Sequence, residues 1–193
     1  MREAYSLLIG SVGDDSHSVG MALLKIAFRE AGFFVKHLGI LNTLDDFFHQ
    51  APYFDAIFIS CMNGHVDLYL EEFPYKLSAF RLGDDNPKVW YLGGNLSVKE
   101  SEEDIIRRYQ KLGFDFVAPK PISWDVIMNR LMMDFHNKGI MKRVIPDSVE
   151  DDAMPLHGID EVNDNPMSDR EFLALRKEVL GSWPTGEEVY QAE

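Results

Sequence analysis

Residues 54–61 read Phe-Asp-Ala-Ile-Phe-Ile-Ser-Cys, a run that is almost wholly apolar and is followed by Met62, Asn63 and Gly64. A strand that is apolar on both faces is typical of the centre of a parallel sheet, because helices cover both faces of such a sheet. The run therefore predicts a buried central strand whose carboxyl end, at Ser60, meets a polar loop.

Strand and helix patterns alternate on both sides of this run. The predicted strands are 5–12, 33–39, 54–61, 88–92 and 114–118, and the predicted helices are 18–31, 43–50, 66–81, 100–112 and 123–136. This alternation predicts an α/β fold with a doubly wound, five-stranded parallel sheet of flavodoxin-like strand order 2-1-3-4-5. Ligands of such sheets bind at the carboxyl edge where the strand order reverses, so the loops after Val12 and Ser60 should carry the site.

Composition narrows the class of protein. The net charge of −13 argues against a nucleic-acid partner, which needs clustered Lys and Arg. The single cysteine excludes an internal disulfide and fits a reducing compartment. The first apolar run is too short to span a bilayer and resembles no signal peptide, so we expect a cytoplasmic protein with no membrane partner.

Charge also divides the chain into three predicted parts. Residues 1–138 form the predicted α/β domain, and residues 139–193 carry 5 basic and 13 acidic side chains. Within the latter, 139–166 is predicted to be an acidic linker. A capping-box pattern from Ser168 to Glu171 predicts a short helix in the tail, residues 167–193.

The loop after the first strand places an aspartate two residues before a histidine, Asp15 and His17. An imidazole that binds a metal through one nitrogen usually donates its other N–H to a carboxylate. The alternative is an aspartate that caps the next helix beside a solvent-facing histidine.

Small residues end the third and fourth predicted strands. Ser60 places a hydroxyl at the switch point, and Gly93-Gly94 would remove side chains from the cleft floor and admit a flat group. A local hydrogen bond of Ser60 and an ordinary turn at the glycines are the alternatives. Cys61 is interpreted as a small apolar wall residue and not as a nucleophile.

These motifs, Asp15-x-His17-x-x-Gly20, Ser60-x-Met62 and Gly93-Gly94, resemble the cobalamin-binding signature of mutases and methionine synthase. Over roughly residues 5–137 the chain is more similar still to the small, cobalamin-binding subunit of glutamate mutase (methylaspartate mutase). The resemblance implies adenosylcobalamin as cofactor and His17 as the axial ligand of its cobalt. The implied cofactor-binding residues are Asp14, Asp15, Ser16, His17, Ser18, Gly20, Ser60, Cys61, Met62, Gly93, Gly94, Asn95, Leu96, Ser97 and Val98.

Within that set the resemblance implies distinct roles. Asp15 would hold the second ring nitrogen of His17, and Ser60 would bond the displaced dimethylbenzimidazole base. Residues 93–98 would line the slot for the nucleotide tail. The sequence departs from the family at Met62, where Leu is usual, and at 120–122, where Lys-Pro-Ile replaces a Gly-Thr pair. The second departure leaves the contacts of the tail open there.

The resemblance also implies a division of labour. The chain would carry the cofactor for a carbon-skeleton mutase that converts L-glutamate into 3-methylaspartate by radical rearrangement. A separate large catalytic barrel subunit would bind the substrate, so no catalytic residue is expected in this chain and it should be inactive alone. Residues 169–189 resemble the start of that large subunit, which suggests a fused mutase or an extension that docks on it; an unrelated amphipathic helix is the alternative.

Two other classes share parts of the pattern. A response-regulator receiver domain has the same strand order, paired acids like Asp14-Asp15 and a Lys-Pro pair like 120–121. It also needs an aspartate at the end of the third strand, where this chain has Ser60. Corrinoid carriers and cobalamin-based sensors usually have a helical bundle before this domain, whereas the first strand here begins at Tyr5.

Overall fold

The computed structural model describes residues 2–83 and 86–145. Seven strands and six helices follow one another along this part of the chain. They are β1 (Arg2–Ala4), β2 (Ser6–Ser11), α1 (Val19–Glu30), β3 (Phe34–His37), α2 (Leu44–Gln50), β4 (Ala56–Ser60), α3 (Asp67–Leu70), α4 (Phe73–Gly83), β5 (Val89–Gly93), α5 (Glu102–Leu112), β6 (Phe116–Ala118), α6 (Trp124–Lys138) and β7 (Arg143–Ile145), with a 3-10 turn (Ala51–Tyr53) after α2.

Five of these strands form one parallel sheet in the order β3-β2-β4-β5-β6. This arrangement confirms the predicted doubly wound fold and its 2-1-3-4-5 strand order. All six residues of β2 and the first four of β4 are buried. The strand order reverses between β2 and its neighbours β3 and β4, so the predicted switch point lies where the loops after β2 and β4 meet.

Apolar side chains cover both faces of the sheet. On one face, Leu8, Ile57 and Trp90 pack with a cluster that includes residues of α2 to α5. On the other, Phe58 and Tyr91 pack with residues of α1 and α6, the predicted inner face of α6 among them. Burial of each large side chain contributes about 1.5–3 kcal/mol, so the two layers hold the sheet edges in fixed positions.

Local signals set the helix ends. The predicted cap of α2 is present, because the Thr43 hydroxyl accepts from the Asp46 N–H and the Asp46 carboxylate accepts in return. Ser101 caps α5, because its hydroxyl accepts from the Asp104 N–H. The predicted helix 66–81 is wrong as one element: it divides between Leu70 and Phe73. Pro74 has no N–H to donate to the carbonyl of Leu70, so a continuous helix would lose a bond there, whereas proline is tolerated in the first turn of α4.

A small second sheet lies outside the predicted elements. β1 and β7 pair antiparallel, with Ala4 opposite Arg143. The Arg143 Nε lies 2.7 Å from Oδ1 of the buried Asp55, as an ion pair rather than an aligned hydrogen bond. Ile140 is also buried. The first seven residues of the predicted linker 139–166 therefore pack on the domain.

The rest of that linker and the predicted tail helix at 167–193 lie outside the described residues. Among the helices of the described part of the chain, none has the length and apolar character needed to cross a membrane.

Candidate functional site

Backbone contacts hold the loop after β2 in place at the carboxyl edge of the sheet. The Val12 N–H donates to the Ser60 carbonyl at 3.0 Å, and the Gly13 N–H donates to the Asn42 carbonyl at 2.8 Å. The Ser11 hydroxyl donates to the Asp15 carbonyl at 2.9 Å. Asn42, in the loop after β3, and Ser60, at the end of β4, thus fix the loop before it reaches His17.

Asp15 is fully buried, and its carboxylate holds two parts of the site. Oδ1 lies 2.6 Å from Nδ1 of His17 and also accepts from the His17 backbone N–H at 3.1 Å. Oδ2 accepts from the backbone N–H of Met62 at 2.7 Å. Ser18, not Asp15, is the N-cap residue of α1. The alternative that Asp15 caps this helix is therefore wrong.

The hydrogen bond to Asp15 determines which nitrogen of His17 can bind a ligand. A carboxylate only accepts, so Nδ1 is the nitrogen that donates in this contact, and Nε2 is the nitrogen left to face a ligand. The His17 side chain remains 63% exposed. The arrangement offers Nε2 of an oriented imidazole to a Lewis acid at the sheet edge.

A row of small side chains crosses the sheet beside this loop. Ser11, Ser60, Gly93 and Ala118 stand in register on β2, β4, β5 and β6, on the face that α1 and α6 cover. A Cβ on Gly93 would meet Ala118 at ordinary distances of 3.6 and 3.8 Å. The fold therefore tolerates a side chain at Gly93. Because glycine has none, no side chain projects from β5 at the carboxyl end of this face.

Gly94 has a different role from Gly93. Its φ is +126°, and a Cβ there would lie 2.1 Å from the carbonyl oxygen of Cys61. The loops after β4 and β5 approach each other too closely for any side chain. Gly94 is thus required for backbone packing, whatever else it contacts.

The remaining predicted site residues divide by exposure. Seven reach the surface of the carboxyl edge: Asp14, Ser16, His17, Gly20, Met62, Asn95 and Val98. Ser18 and Ser97 are half-buried, whereas Leu96 is buried in the core cluster and presents no side chain to the edge. Cys61 is also buried; burial raises the pKa of its thiol to about 11, and its Sγ donates to Asn63. A thiol so protected fits a wall residue better than a nucleophile.

Sequence reasoning missed the residues that support the loop. Asn42 donates from its side chain to the carbonyls of Ser11 and Gly39, at 2.9 and 3.0 Å. The ring of Tyr69 lies over Gly13, where a Cβ would approach it to 2.4 Å. Neither residue carries a motif, so only the fold reveals these contacts.

A cavity of about 460 Å³ lies beside the loop between β2 and α1, which carries His17. Its lining includes Gly13 and Asp14 but neither His17 nor Gly93, so it is separate from the row of small residues. Lys76 lies in this lining and pairs with Asp45 at 2.7 Å.

Comparison with known proteins agrees with the sequence resemblance. No protein-family model matches the chain. A glutamate mutase sigma subunit of Treponema denticola is 30% identical over 138 residues, which are 70% of this chain and 97% of that protein. One of Halobacterium salinarum is 32% identical over 127 residues, 64% of this chain and 83% of that one.

Among solved structures, a cobalamin-binding protein from Desulfitobacterium hafniense aligns with a TM-score of 0.46 and 19% identity, over 68% of this chain and 58% of that one. The two sequence relatives match most of their own length, and the first is covered almost completely. The chain belongs to the family of glutamate mutase sigma subunits.

Proposed function

We propose that this chain is the component of glutamate mutase that binds adenosylcobalamin, with His17 as the axial ligand of cobalt, and presents it to a large catalytic barrel subunit. The relatives are named as sigma subunits of glutamate mutase, and a sigma subunit implies a partner subunit. The observation that carries the proposal is the contact between the buried Asp15 carboxylate and Nδ1 of His17.

The residues present fit a cobalt ligand. Cobalt needs a neutral imidazole with an accessible lone pair, which Nε2 of His17 supplies when Nδ1 donates to Asp15. Asp15 cannot turn away from the ring, because its other oxygen is held by the Met62 N–H. The ring is therefore oriented before any cofactor arrives, which lowers the entropy cost of binding.

The row of Ser60, Gly93 and Ala118 fits the displaced base and its nucleotide tail. Gly93 offers a floor without a side chain, and the half-buried hydroxyl of Ser60 can donate or accept a hydrogen bond beside it. We propose that these residues hold the tail between α1 and α6, and that Asp14, Ser16, Gly20, Met62, Asn95 and Val98 contact the cofactor at the surface of the edge.

The chain's contribution to the reaction is positioning. When bound, adenosylcobalamin supplies a carbon radical by cleavage of its cobalt–carbon bond, which is chemistry of the cofactor. Asp15 holds Nδ1 of His17 in place, and Nε2 of the imidazole would hold the cobalt of the cofactor. The proposed substrate, L-glutamate, binds to the partner subunit, where it is converted into 3-methylaspartate.

The receiver-domain alternative lacks its essential residue. Asp55 lies at the amino end of β4, is buried, and accepts from the N–H and hydroxyl of Ser6 while pairing with Arg143. The carboxyl end of β4 is occupied by Ser60. The carboxyl end of β4 therefore lacks the aspartate that a receiver domain phosphorylates.

The part of the chain beyond Ile145 has a proposed role of its own. On sequence grounds we propose that the remainder of the acidic linker, 146–166, and the tail, 167–193, serve assembly with the barrel subunit and not cofactor binding. The five-stranded unit that carries His17 ends with α6, before these residues begin.

The proposed function is tested by reconstitution. The chain should retain adenosylcobalamin through gel filtration, where the absorbance of the cofactor should elute with the protein, and His17→Gln should weaken this binding. Neither protein should convert glutamate alone, and the parent should become active when a large subunit is added. A chain that retains no adenosylcobalamin at high concentration, or that rearranges glutamate by itself, contradicts the proposal.

A further inference from the structure

Two loops contact each other beyond the carboxyl edge of the sheet. One comprises residues 61–66, between β4 and α3, and the other residues 94–99, between β5 and α5. The Gly64 N–H donates to the Asn95 carbonyl at 3.0 Å, and His65 and Ser97 form an antiparallel bridge. The two loops therefore form one wall of the candidate site.

A single guanidinium holds the far ends of both loops. Arg108 lies on α5; its Nη1 is 3.0 Å from Oδ2 of Asp67, the first residue of α3, which follows the 61–66 loop. Its Nη2 is 2.9 Å from Oε1 of Glu100, which follows the 94–99 loop. Arg108 thereby joins the residues that follow the two loops, and a planar guanidinium holds its partners in fixed directions.

A buried tyrosine, Tyr109, also holds Asp67. The hydroxyl of the buried Tyr109 donates to Oδ1 of Asp67 at 2.7 Å and accepts from Nη2 of Arg108 at 3.0 Å. Burial, and then the hydrogen bond to Asp67, raise the pKa of Tyr109, so this hydroxyl keeps its proton. Asp67 is thus held through both oxygens, and the 61–66 loop is anchored to α5 through the residue that follows it.

The anchored loop leads directly to the histidine. Met62 lies at the start of the 61–66 loop, and its N–H donates to the carboxylate of Asp15, which in turn holds His17. We propose that Arg108 is a positioning residue for His17: by clamping Asp67 and Glu100 it keeps the Met62 N–H on Asp15 and the imidazole oriented. This inference rests on the proposed function, because it assigns a role in cofactor coordination to a residue that does not contact the edge.

The neighbouring residue provides a matched control. Arg107 is 63% exposed and pairs at 3.4 Å with Asp104, three residues earlier on the same helix. Arg107→Met and Arg108→Met remove the same charge and the same number of donors from adjacent positions of α5. Only the second substitution releases the loops.

Three measurements on the full chain test the proposal: the dissociation constant for adenosylcobalamin, the paramagnetic resonance spectrum of the cob(II)alamin complex, and hydrogen exchange of the Met62 and Gly64 amides without cofactor. Arg108→Met should weaken binding by about 2- to 30-fold, the range for residues coupled to a site through a network. It should also reduce the fraction of cobalt bound by histidine nitrogen and speed exchange at Met62. Arg107→Met should match the parent in all three.

Equal affinity, equal coordination and equal exchange in the two variants would overturn the role of Arg108. A lower melting temperature with unchanged coordination and exchange would also overturn it, since a merely structural role predicts that result. If the parent itself fails to bind cobalamin, the proposed function fails, while the exchange of Met62 still decides whether Arg108 orders the loop. Arg108→Lys and Glu100→Gln give the same comparison if Arg108→Met does not fold by circular dichroism.

Discussion

The carboxylate of Asp15 accepts a hydrogen bond from the backbone N–H of Met62 at 2.7 Å, and so joins two loops that are 47 residues apart in sequence. The other oxygen of the same carboxylate contacts Nδ1 of His17. One buried charge therefore fixes both the loop that carries the histidine and the loop that faces it. A buried carboxylate is stable only when hydrogen bonds satisfy it, so the three donors around Asp15 belong to one unit.

Replacement of Asp15 by Asn should disrupt this unit while preserving its shape. His17 and Met62 donate to different oxygens of Asp15, and in the amide one of these two atoms becomes a donor nitrogen, so one of the two contacts is lost. We expect Asp15→Asn to weaken cobalamin binding by roughly 10- to 100-fold, as is typical of groups that orient a metal ligand. Spectrophotometric titration gives the affinity, and circular dichroism checks the fold. Glu103→Gln, on the exposed first turn of α5, is the control; an affinity for Asp15→Asn equal to that of this control contradicts the assigned role.

The two adjacent glycines should respond in opposite ways to alanine. At Gly94 the positive φ and the overlap with the Cys61 carbonyl should lower the free energy of unfolding by at least about 1–3 kcal/mol. Gly93→Ala should remain within about 1 kcal/mol of the parent, because its Cβ meets only ordinary contacts, yet it should weaken cobalamin binding by narrowing the slot. Urea unfolding and cofactor titration separate the two effects. If Gly93→Ala and Gly94→Ala lose equal unfolding free energy, the space beside Gly93 cannot accommodate a side chain, which would contradict this assignment.

Acid should destabilise the protein through His37. Burial, and then the positive charges of Lys25 and Arg29, lower the pKa of this histidine to about 4. The unfolded chain binds the proton near pH 6.5, so stability falls as the pH decreases from 6.5 toward 4. Between pH 7 and pH 5 this group should remove about 2 kcal/mol of unfolding free energy.

His37→Gln should therefore flatten the dependence of unfolding free energy on pH in urea titrations at pH 7 and pH 5. His136→Gln, at an exposed position of α6, should leave the dependence unchanged. Parallel pH profiles for the parent and His37→Gln would show that His37 is not held neutral in the folded state.

The end of the folded unit can be located by truncation. A chain that ends at Ile145 keeps β7, Ile140 and the ion pair of Arg143 with Asp55, and should unfold at the same urea concentration as the full chain. A chain that ends at Lys138 removes Arg143 from the buried Asp55, and should be less stable by about 1–3 kcal/mol. Both should lack mutase activity without a barrel subunit.

Equal stability of the two shortened chains would show that residues 139–145 add nothing to the domain. A loss of cobalamin binding in the chain that ends at Ile145 would contradict the proposal that the tail serves assembly.

The sheet could be predicted from the sequence because its central strands are apolar on both faces. The runs around Leu8 and Ile57 have no polar interruption, and only a strand covered on both sides accommodates them. The edge pair of β1 and β7 could not be predicted. Each has three residues, too few for a pattern, and their pairing joins the two ends of the described chain.

The candidate site also has parts that the sequence predicts and parts that it does not. The spacing of Asp15 and His17 is local, so it could be read from the sequence, and the structure brings the two side chains together. The donation from Met62 comes from the backbone, which has no residue-specific signal. The backbone packing of Gly94 against Cys61 likewise depends on how two loops meet, which only the folded chain defines.

The central claim is that Nε2 of His17 binds cobalt. Electron paramagnetic resonance of the cob(II)alamin complex tests it directly, because the axial nitrogen splits the cobalt lines according to its nuclear spin. With unlabelled protein the account predicts a triplet splitting from nitrogen-14. When the histidines of the chain carry nitrogen-15, the triplet should become a doublet, and His17→Gln should remove this dependence on the label. A triplet that persists in the labelled parent protein would assign the axial nitrogen to the benzimidazole of the cofactor and contradict the account.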